Sequence, residues 1–508
     1  MKHASIGIDD MSLYIPKLYL DIEDLANERN IEYAKLHFGL GLTSMAVPDV
    51  HEDAATMAAN AVADLIDKNN IDPSAIGRIY MGTESALDGA KPTATYVLEM
   101  LRDKYHEQYG SDCFLNCDVV DLTFACVGGV DALNNTLDWV AVDDERIGIV
   151  VTTDLAKYEL GSTGEYTQGA GAIAMLVKRN PRLLAIRDHW GVATVGVHDF
   201  FKPKRTASKV QIIDEVLNLA GIKDINANEI IEKLDASLEV KGVLDVNEVN
   251  LTLQKETPVF DGQYSNLCYQ ERIRQAFDNF RKKAAGNGRF NGNQEHVVTE
   301  EWDRLIFHLP YAFHAKRIFP EIFMEEAKRS GTWPEIKASI EMDEPLMSEF
   351  ADKEMFLKTK AQYLRLVSKT GHYKQFVAEK MEKGQRASRE VGNMYACSIF
   401  LALMSSLEAD YLEGSNLKNG LIGFFGYGSG SKSKVFEGKL QPGWKEVVAG
   451  FKVTEQLKKR TRIDYPTYEK LHSGKLEESV VTAGKEFNLS HIGKDGVVEG
   501  ARYYAWTE

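Results

Sequence analysis

Short apolar runs alternate with helical repeats through the first part of the chain. Residues 79–81, 117–125, 146–153 and 170–177 are apolar runs of strand length, whereas residues 93–101 repeat apolar side chains at the period of a helix. Because strands that alternate with helices build sheets covered by helices, this pattern predicts an α/β fold.

A second alternating region follows after residue 300. Residues 305–309 and 421–425 predict strands, and residues 393–407 predict an apolar helix for which Asn393 can serve as the N-cap. We therefore predict two similar α/β halves that face each other, residues 1–180 and 181–508. In both halves the strands lead into polar residues, and open α/β sheets bind ligands at the carboxyl ends of their strands.

Two segments depart from this alternation. Residues 204–257 are polar, charged and helical in character, and they are too long for a structureless connection, so we predict a helical insertion there. From about residue 441 the chain is charged and amphipathic, which predicts a peripheral C-terminal extension of helices and strands.

Charge and composition narrow the function classes. The net charge of −15 argues against a nucleic-acid partner and against adsorption to anionic membranes. Asp9 and Asp10 stand where a signal peptide needs an apolar core, and no apolar run is long enough for a membrane span. Five cysteines, an odd number, favour a reducing compartment. We expect a cytoplasmic protein without a metal site, since Cys113 and Cys117 lack a second ligand pair.

Cys126 stands where a strand-like run meets a helical repeat. A thiol at a helix N-terminus meets free N–H groups and the positive end of the helix dipole, and both favour the nucleophilic thiolate. Gly128 and Gly129 weaken the helix, and we expect them to leave room for a substrate acyl group. Taken alone, a buried structural cysteine is the more common case.

Four other residues have both a structural and a chemical interpretation. Glu84, just past a strand, fits either a helix start or a general acid/base. His308 at a strand end fits either the core or a site, and Asn393 fits a helix cap. Ser429 lies in a glycine-rich loop, which is either an ordinary turn or a set of N–H donors for an oxyanion.

Together these segments resemble one family, the 3-hydroxy-3-methylglutaryl-CoA (HMG-CoA) synthases of the thiolase superfamily. The matching motifs follow the family's order and run nearly end to end: IGID near the N-terminus, YIPKLYLD at residues 14–21, GTESALD around Glu84, FAC at Cys126, AKY at residues 156–158, STGEYTQGAG at residues 162–171, DFFKP at residues 199–203, DGQYS at residues 261–265, FHLP at His308, VGNMY at Asn393 and GYGSGS at Ser429. The resemblance implies a thiolase-like fold in an αβαβα layering. The spelling FACVGG and the insertion after DFFKP resemble a bacterial branch.

The resemblance implies a reaction and three catalytic roles. The family condenses acetyl-CoA with acetoacetyl-CoA and water to HMG-CoA and CoA, toward mevalonate and isoprenoids, without a cofactor. Cys126 matches the nucleophile that takes the acetyl group. Glu84 matches the carboxylate that removes a proton from the acetyl methyl, and His308 matches the imidazole that contacts the acetoacetyl group.

The resemblance also implies binding residues and a homodimer. The family positions that line the acyl pocket fall on Tyr158, Thr167, Ser265, Asn393 and Ser429. Phe313 stands where the family often has a lysine. The sequence therefore does not decide which basic residue holds the CoA phosphates, and the candidates are Lys316, Arg317, Lys202 and Lys204.

Other functions share parts of this residue set. A polyketide β-branching enzyme that acts on a ketone held by a carrier protein would use the same catalytic trio. A Cys-His-Asn ketoacyl synthase would use Cys126, His308 and Asn393, but it does not need Glu84. A non-enzymatic scaffold does not account for the intact trio.

Overall fold

A computed structural model describes residues 5–235, 250–289, 296–494 and 496–508 of the chain. Its strands are β1 (Ile6–Tyr14), β2 (Leu18–Asp21), β3 (Ser44–Val47), β4 (Ile76–Gly82), β5 (Asp118–Leu122), β6 (Ile147–Ala156), β7 (Gly169–Arg179), β8 (Leu184–Ile186), β9 (Gly191–Thr194), β10 (Phe200–Phe201), β11 (Lys204–Ser208), β12 (Asn250–Gln254), β13 (Val259–Phe260), β14 (Arg304–Phe307), β15 (Leu421–Gly428), β16 (Lys432–Leu440), β17 (Thr461–Ile463), β18 (Glu486–Ile492) and β19 (Arg502–Thr507).

The helices lie between and beside these strands. They are α1 (Ile22–Glu28), α2 (Ala54–Asn69), α3 (Thr93–Tyr109), α4 (Gly128–Val140), α5 (Lys209–Leu219), α6 (Ala227–Asp235), α7 (Gly262–Gly286), α8 (Val298–Glu301), α9 (His314–Ile318), α10 (Pro320–Ser330), α11 (Trp333–Lys337), α12 (Lys353–Val367), α13 (Gly371–Lys380), α14 (Glu382–Val391), α15 (Ser398–Leu412), α16 (Trp444–Val448), α17 (Val453–Lys458) and α18 (Tyr465–His472). A π-helical turn spans Lys35–Leu40, and 3-10 turns span Glu165–Thr167 and Tyr395–Cys397.

One mixed sheet of ten strands organises the protein. Its order is β14-β15-β16-β8-β1-β7-β6-β4-β5, and β9 also pairs with β16. The strands β4, β5 and β6 run parallel to one another near one end of the sheet, and β14 and β15 run parallel at the other end. Because the ends of parallel strands meet at one edge, each group brings the residues that follow its strands close together.

The α/β fold expected from the alternation is confirmed. The apolar runs at residues 79–81 and 170–177 lie within β4 and β7, the run at residues 146–153 overlaps β6 from Ile147 onward, and the repeat at residues 93–101 lies within α3. The expected helix at residues 393–407 begins later, at Ser398, because residues 395–397 form a 3-10 turn before it. Its first thirteen residues are all buried, which explains why the segment is apolar all round.

The chain forms two compact units. One runs to Asp199 and resumes at Gly262, and the other spans Phe200–Asp261. The second unit pairs α5 with α6 through Ile213 and Leu217, but it also contains the strand pairs β10–β13 and β11–β12. The segment that we expected to be helical therefore contains both helices and strands. Its strands pair residues that are far apart in the sequence, and such pairing leaves no periodic pattern in the local sequence. Residues 236–249 of it lie outside the described residues.

The C-terminal segment packs on α2 through its last two strands. β18 and β19 form a hairpin, and Phe487 at its start is buried. Asn60 of α2 exchanges two hydrogen bonds with the backbone of Phe487, at 3.0 and 2.7 Å. This reciprocal pair satisfies backbone groups at the start of the hairpin and ties the hairpin to α2.

None of the helices in the described ranges combines the length and the apolar character needed to cross a bilayer. No group of three or more His, Cys, Asp or Glu side chains within those ranges is arranged to hold a metal ion.

Candidate active site

Cys126 occupies a sharp turn between β5 and α4. The preceding residue, Ala125, has a φ of 40°, in the left-handed region that side chains other than glycine rarely adopt. Strained backbone of this kind persists where the surrounding structure holds it, and it is enriched at functional sites. The turn leaves the side chain of Cys126 buried at the start of α4.

Glu84 lies beside the thiol. The Sγ of Cys126 donates a hydrogen bond to Oε1 of Glu84 at 3.1 Å, although the two residues are 42 positions apart. Glu84 follows β4, and its side chain is half-buried. A carboxylate at this distance can take a proton from the thiol or from a group bound to the sulfur.

Three close-packed glycines bring the two residues together. A Cβ on Gly82 would stand 2.3 Å from the backbone nitrogen of Gly129, so the end of β4 touches the first turn of α4. A Cβ on Gly129 would stand 2.3 Å from Cγ2 of Thr152, and one on Gly128 would stand 2.7 Å from the carbonyl oxygen of Leu122. The space that we expected Gly128 and Gly129 to leave for an acyl group is therefore filled by the strand ends.

Asp154, which the sequence did not single out, holds the loop of Glu84 in place. Its Oδ1 accepts hydrogen bonds from the backbone nitrogen of Glu84 at 2.9 Å, from Ser85 at 2.9 Å and from Thr83 at 3.1 Å. Its Oδ2 accepts from the backbone nitrogen of Ala396 at 2.9 Å. Burial and the charge of Glu84 raise the pKa of this carboxyl, while the N–H donors act in the opposite direction. A carboxylate inside the apolar β6 was the signal in the sequence.

Two tyrosines extend the site from Cys126 and Glu84. Tyr158, which follows β6, is hydrogen-bonded through its hydroxyl to Tyr395 and to Thr167. Burial, together with the charges of Cys126 and Glu84, raises the pKa of both phenols. The structure thus brings Tyr158 near the thiol, joins the predicted Thr167 to Tyr158, and adds Tyr395.

His308 reaches the same site from the other half of the sheet. It follows β14, its backbone nitrogen donates to the carbonyl of Phe425 at 3.1 Å, and its ring is hydrogen-bonded to the backbone of Tyr395. Burial lowers the pKa of His308 to about 3, so the imidazole is neutral near pH 7. A neutral imidazole donates from one nitrogen and accepts at the other, so the nitrogen of His308 that does not bond Tyr395 can accept from a hydroxyl group.

Aromatic residues enclose His308. The hydroxyl of Tyr269 donates to the carbonyl of His308 at 2.7 Å, and its ring stacks on Tyr427 with centroids 4.2 Å apart. The ring of His314 packs on the ring of Tyr269 with centroids 4.7 Å apart. Burial, and after it the charge of the neighbouring His308, lowers the pKa of His314 well below its usual value. Sequence reasoning missed Tyr269 and His314, because neither lies in a motif of its own.

Asn393 is a helix cap, as its sequence context allowed, but it caps the 3-10 turn that precedes the expected helix. Its Oδ1 accepts from the backbone nitrogen of Tyr395 at 2.9 Å and from the hydroxyl of Ser398 at 3.1 Å. It therefore caps the 3-10 turn at Tyr395–Cys397 and not α15 itself. Because Tyr395 belongs to the site, this cap fixes a site residue.

Ser429 and Ser265 meet around Asp199. Ser429 lies in the turn between β15 and β16 and is hydrogen-bonded to Tyr427. Ser265 on α7 donates to Oδ2 of Asp199 at 3.2 Å, and Tyr427 donates to the same oxygen at 2.9 Å. Asp199, a residue that the sequence placed only within a motif, joins these two predicted binding residues.

The candidate phosphate-binding cations lie in separate places. On α9, Arg317 donates to the carbonyl of Gly39 at 2.6 Å, and the ammonium of Lys316 lies 3.1 Å from the centre of the Phe313 ring. Lys202 and Lys204 belong to the second compact unit. Their part in binding stays a prediction.

Comparison with known proteins gives a consistent family. A family profile described as hydroxymethylglutaryl-coenzyme A synthase N terminal matches residues 2–181, and its C-terminal counterpart matches residues 238–490. The hydroxymethylglutaryl-CoA synthase of Enterococcus faecalis is 27% identical over 94% of each chain. That of Ganoderma lucidum is 30% identical over 87% of this chain and 81% of the relative.

The solved structures agree with the sequence relatives. MvaS in complex with 3-hydroxy-3-methylglutaryl coenzyme A is 25% identical, covers 100% of both chains and superposes with a TM-score of 0.72. The expected thiolase-like α/β fold is thereby confirmed. The relatives include a bacterium and a fungus, so the expected bacterial branch stays a prediction.

Proposed function

The chain belongs to the hydroxymethylglutaryl-CoA synthase family, and we propose that it condenses acetyl-CoA with acetoacetyl-CoA and water to HMG-CoA and CoA. The observation that carries this proposal is the 3.1 Å hydrogen bond between the thiol of Cys126 and the carboxylate of Glu84. A nucleophile and a base are within reach of one bound acetyl group.

The first step is acetyl transfer. The sulfur of Cys126 attacks the thioester carbonyl of acetyl-CoA, the bond between that carbon and the CoA sulfur breaks, and the thiol proton leaves with CoA. Because α4 begins two residues later, its N-terminal dipole favours the thiolate in this step.

The second step forms the carbon–carbon bond. Glu84 takes a proton from the methyl of acetyl-Cys126, and the resulting carbanion equivalent attacks the ketone carbon of acetoacetyl-CoA. That ketone oxygen takes the proton that Glu84 removed and becomes the tertiary hydroxyl. Because the ring N–H of the neutral His308 already donates to the backbone carbonyl of Tyr395, its other ring nitrogen can accept a hydrogen bond from this hydroxyl.

The third step releases the product. Water adds to the thioester on Cys126, the carbon–sulfur bond breaks, and the new carboxylate leaves as HMG-CoA with the thiol restored. Tyr158, Thr167, Ser265, Asn393 and Ser429 are the binding residues of this proposal. It uses no metal ion and no cofactor beyond the CoA thioesters.

We propose a two-fold homodimer formed at the edge strand β5. This strand ends the sheet, pairs with β4 on one side, and most of its residues are half-buried. An edge strand with free main-chain groups can pair with its own copy. Light scattering at micromolar concentration should give twice the chain mass, and a monomer would contradict the dimer.

We propose a cytoplasmic location, where thiols stay reduced. The five cysteines are all free thiols in the structure, and most of them are buried. Fractionation of cells that express the tagged chain tests this location, which an extracellular fraction would contradict.

The function is tested by the acyl groups that the protein accepts. With acetyl-CoA alone, mass spectrometry of digested protein should find one acetyl group on the peptide of Cys126. With acetoacetyl-CoA added, HMG-CoA should form together with free CoA. Cys126→Ala should lose both signals. Cys113→Ala is the matched control, since Cys113 is also buried but lies in another part of the chain.

The alternative substrates form the remaining arms of this experiment. Malonyl thioesters should not replace acetoacetyl-CoA, and a β-ketoacyl carrier protein should be a poorer acceptor than acetoacetyl-CoA. Efficient condensation with malonyl thioesters would favour a ketoacyl synthase. Preference for the carrier protein would favour a β-branching enzyme.

A further inference from the structure

Ionisable side chains meet where the C-terminal segment packs beside the start of α2. Glu486 is the first residue of β18, Glu52 lies just before α2, and both are buried. Asp53, the N-cap of α2, pairs separately with Arg502 of β19 at 3.1 Å. The side chains that face one another around these two glutamates are defined here as the Tyr14 cluster: Tyr14, Lys17, Asp49, His51, Glu52 and Glu486.

The Tyr14 cluster also holds main-chain groups of the C-terminal segment. Both carboxylate oxygens of Asp49 accept from backbone N–H groups there, Oδ1 from Val480 at 3.0 Å and Oδ2 from Val481 at 2.9 Å. The carbonyl of His51 accepts from the backbone nitrogen of Leu489 at 2.9 Å. The protonation of the cluster therefore bears on how firmly this segment is attached.

The hydroxyl of Tyr14 lies between two carboxyl groups. Its oxygen is 2.7 Å from Oε1 of Glu52 and 3.0 Å from Oε2 of Glu486. A phenol has one hydrogen, so it donates to only one of the two. A hydrogen bond on the other side requires a second proton, which one of the two carboxyl groups must hold.

Glu486 has the surroundings of an ionised carboxylate. Its Oε1 accepts from the ammonium of Lys17 and from the backbone nitrogen of Gly484, the latter at 3.2 Å, and Nε2 of His51 lies 3.6 Å away. Burial acts to raise the pKa of Glu486, but His51 and Lys17 lower it below its usual value. Glu486 is therefore the group that accepts the hydrogen of Tyr14.

Glu52 has the surroundings of a carboxylic acid. Among the described residues, Lys17 and His51 form their ion pairs with Glu486, and no cation forms one with Glu52. Burial raises the pKa of Glu52, although the backbone of Asp49, the hydroxyl of Tyr14 and the charge of His51 act in the opposite direction. Its Oε2 accepts from the backbone nitrogen of Asp49 at 2.7 Å, which leaves Oε1, facing Tyr14, to carry the proton.

We propose that Glu52 is a carboxylic acid in the folded protein and that its proton makes the attachment of the C-terminal segment sensitive to pH. Glu52 donates to Tyr14, and Tyr14 donates to Glu486. Once Glu52 ionises, one hydrogen serves two carboxylates, and two buried negative charges face each other across the hydroxyl. The attachment should therefore weaken as the pH rises.

The interval from pH 5 to 6 isolates this effect. Detached Glu52 has its usual pKa of 4.5, whereas the attached group keeps its proton to higher pH, so detachment releases a proton and becomes easier as the pH rises. His51, whose usual pKa is 6.5, is raised in the cluster by Glu486 and the other carboxylates against the effect of burial, so it adds to the weakening only above about pH 6.5. Glu486, with a lowered pKa, acts below its usual value of 4.5.

Hydrogen exchange of the full chain measures the attachment. The informative amides are those of Phe487, which donates to Oδ1 of Asn60, and Leu489, which donates to the carbonyl of His51. After the intrinsic exchange rate at each pH is divided out, their protection in the wild type should fall roughly fivefold to tenfold from pH 5 to 6, since one proton is released. Protection that does not fall in the wild type overturns the proposal, and this measurement needs no variant.

Matched substitutions at the two glutamates should have different results. The amide of Glu52→Gln can donate to Tyr14 and accept from Asp49 as the acid does, so protection at pH 5 should stay within about twofold of the wild type and not fall toward pH 6. Glu486→Gln removes an ionised partner of Lys17, so protection should fall by about tenfold or more at pH 5.

Glu478→Gln is the control, because Glu478 is an exposed glutamate of the same segment. It should behave like the wild type at both pH values. A loss of protection in Glu52→Gln as large as that in Glu486→Gln would mean that Glu52 acts as a carboxylate, and would overturn the proposal. A decline from pH 5 to 6 in Glu52→Gln equal to that of the wild type would overturn it as well. The measurement involves no turnover, so its outcome is independent of the proposed function.

Discussion

Asp154 accepts the backbone N–H of Glu84 at 2.9 Å, and its second oxygen accepts the backbone N–H of Ala396, next to Tyr395. One buried carboxylate thus joins the loop of the base to the turn that contacts His308. Every hydrogen bond assigned to it is one that it accepts, from Thr83, Glu84, Ser85 and Ala396. The position therefore requires an acceptor on both oxygens.

Asp154→Asn should disturb the site although it changes little in volume. The new amide would turn an N–H toward another donor, which costs about 1–3 kcal/mol of folding stability. Displacement of Glu84 should lower the condensation rate on the order of a hundredfold, with acetylation of Cys126 less affected. Thermal unfolding and the two separate assays measure this. Asp138→Asn, at an exposed position of α4, is the control that should change neither quantity.

Glu84→Gln should separate acetyl transfer from condensation. The amide keeps the size of the side chain but cannot take the methyl proton, so condensation should fall about a hundred- to ten-thousandfold. Acetyl-Cys126 should still accumulate and can be weighed by mass spectrometry. Glu99→Gln, on the exposed side of α3, serves as control. Near-normal condensation by Glu84→Gln would leave Glu84 with a structural role alone.

Gly129→Ala should destabilise the protein, against the usual trend for helices. Alanine in place of glycine inside a helix ordinarily gains about 1 kcal/mol. Here the added Cβ would stand 2.3 Å from Cγ2 of Thr152 and 3.1 Å from the Phe400 ring. Overpacking of this kind costs about 1–3 kcal/mol, and the contact at 2.3 Å places the cost at the upper end, so Tm should fall. Gly89→Ala is the matched control, since nothing lies within 4 Å of its Cβ position. An unchanged Tm for Gly129→Ala would refute the packing role.

His308 should contribute to loss of stability in acid. Its pKa is about 3 in the folded protein and about 6.5 in an unfolded chain. Between these values the unfolded state binds a proton that the folded state does not, so stability falls as the pH falls below 6.5. From pH 7 to 5.5, His308→Gln should lose about 1 kcal/mol less free energy of unfolding than the wild type. Denaturant titrations at both pH values measure this, and equal losses would mean that His308 is protonated in the folded protein.

The sequence by itself determined the elements and the family. The strands β4, β6 and β7 and the helix α3 follow from local periodicity, because burial on one face or both requires apolar residues at fixed spacing. The positions of Glu84, Cys126 and His308 after strands also follow, since each polar residue ends an apolar run. The motif order was enough to indicate the HMG-CoA synthase family, which the family profiles then confirmed.

Tertiary structure alone decided which of these residues meet. The contact between Cys126 and Glu84 depends on the close approach of Gly82 and Gly129, which no local pattern encodes because they come from separate elements. The same close packing shows that Gly128 and Gly129 let neighbouring elements touch and do not leave open space for the substrate. Asp154 looked like one polar residue in a strand, and its role appears only when the loop of Glu84 and the turn at Tyr395 converge on it. Periodicity reports the burial of a side chain, whereas the identity of its neighbours is fixed by contacts between distant parts of the chain.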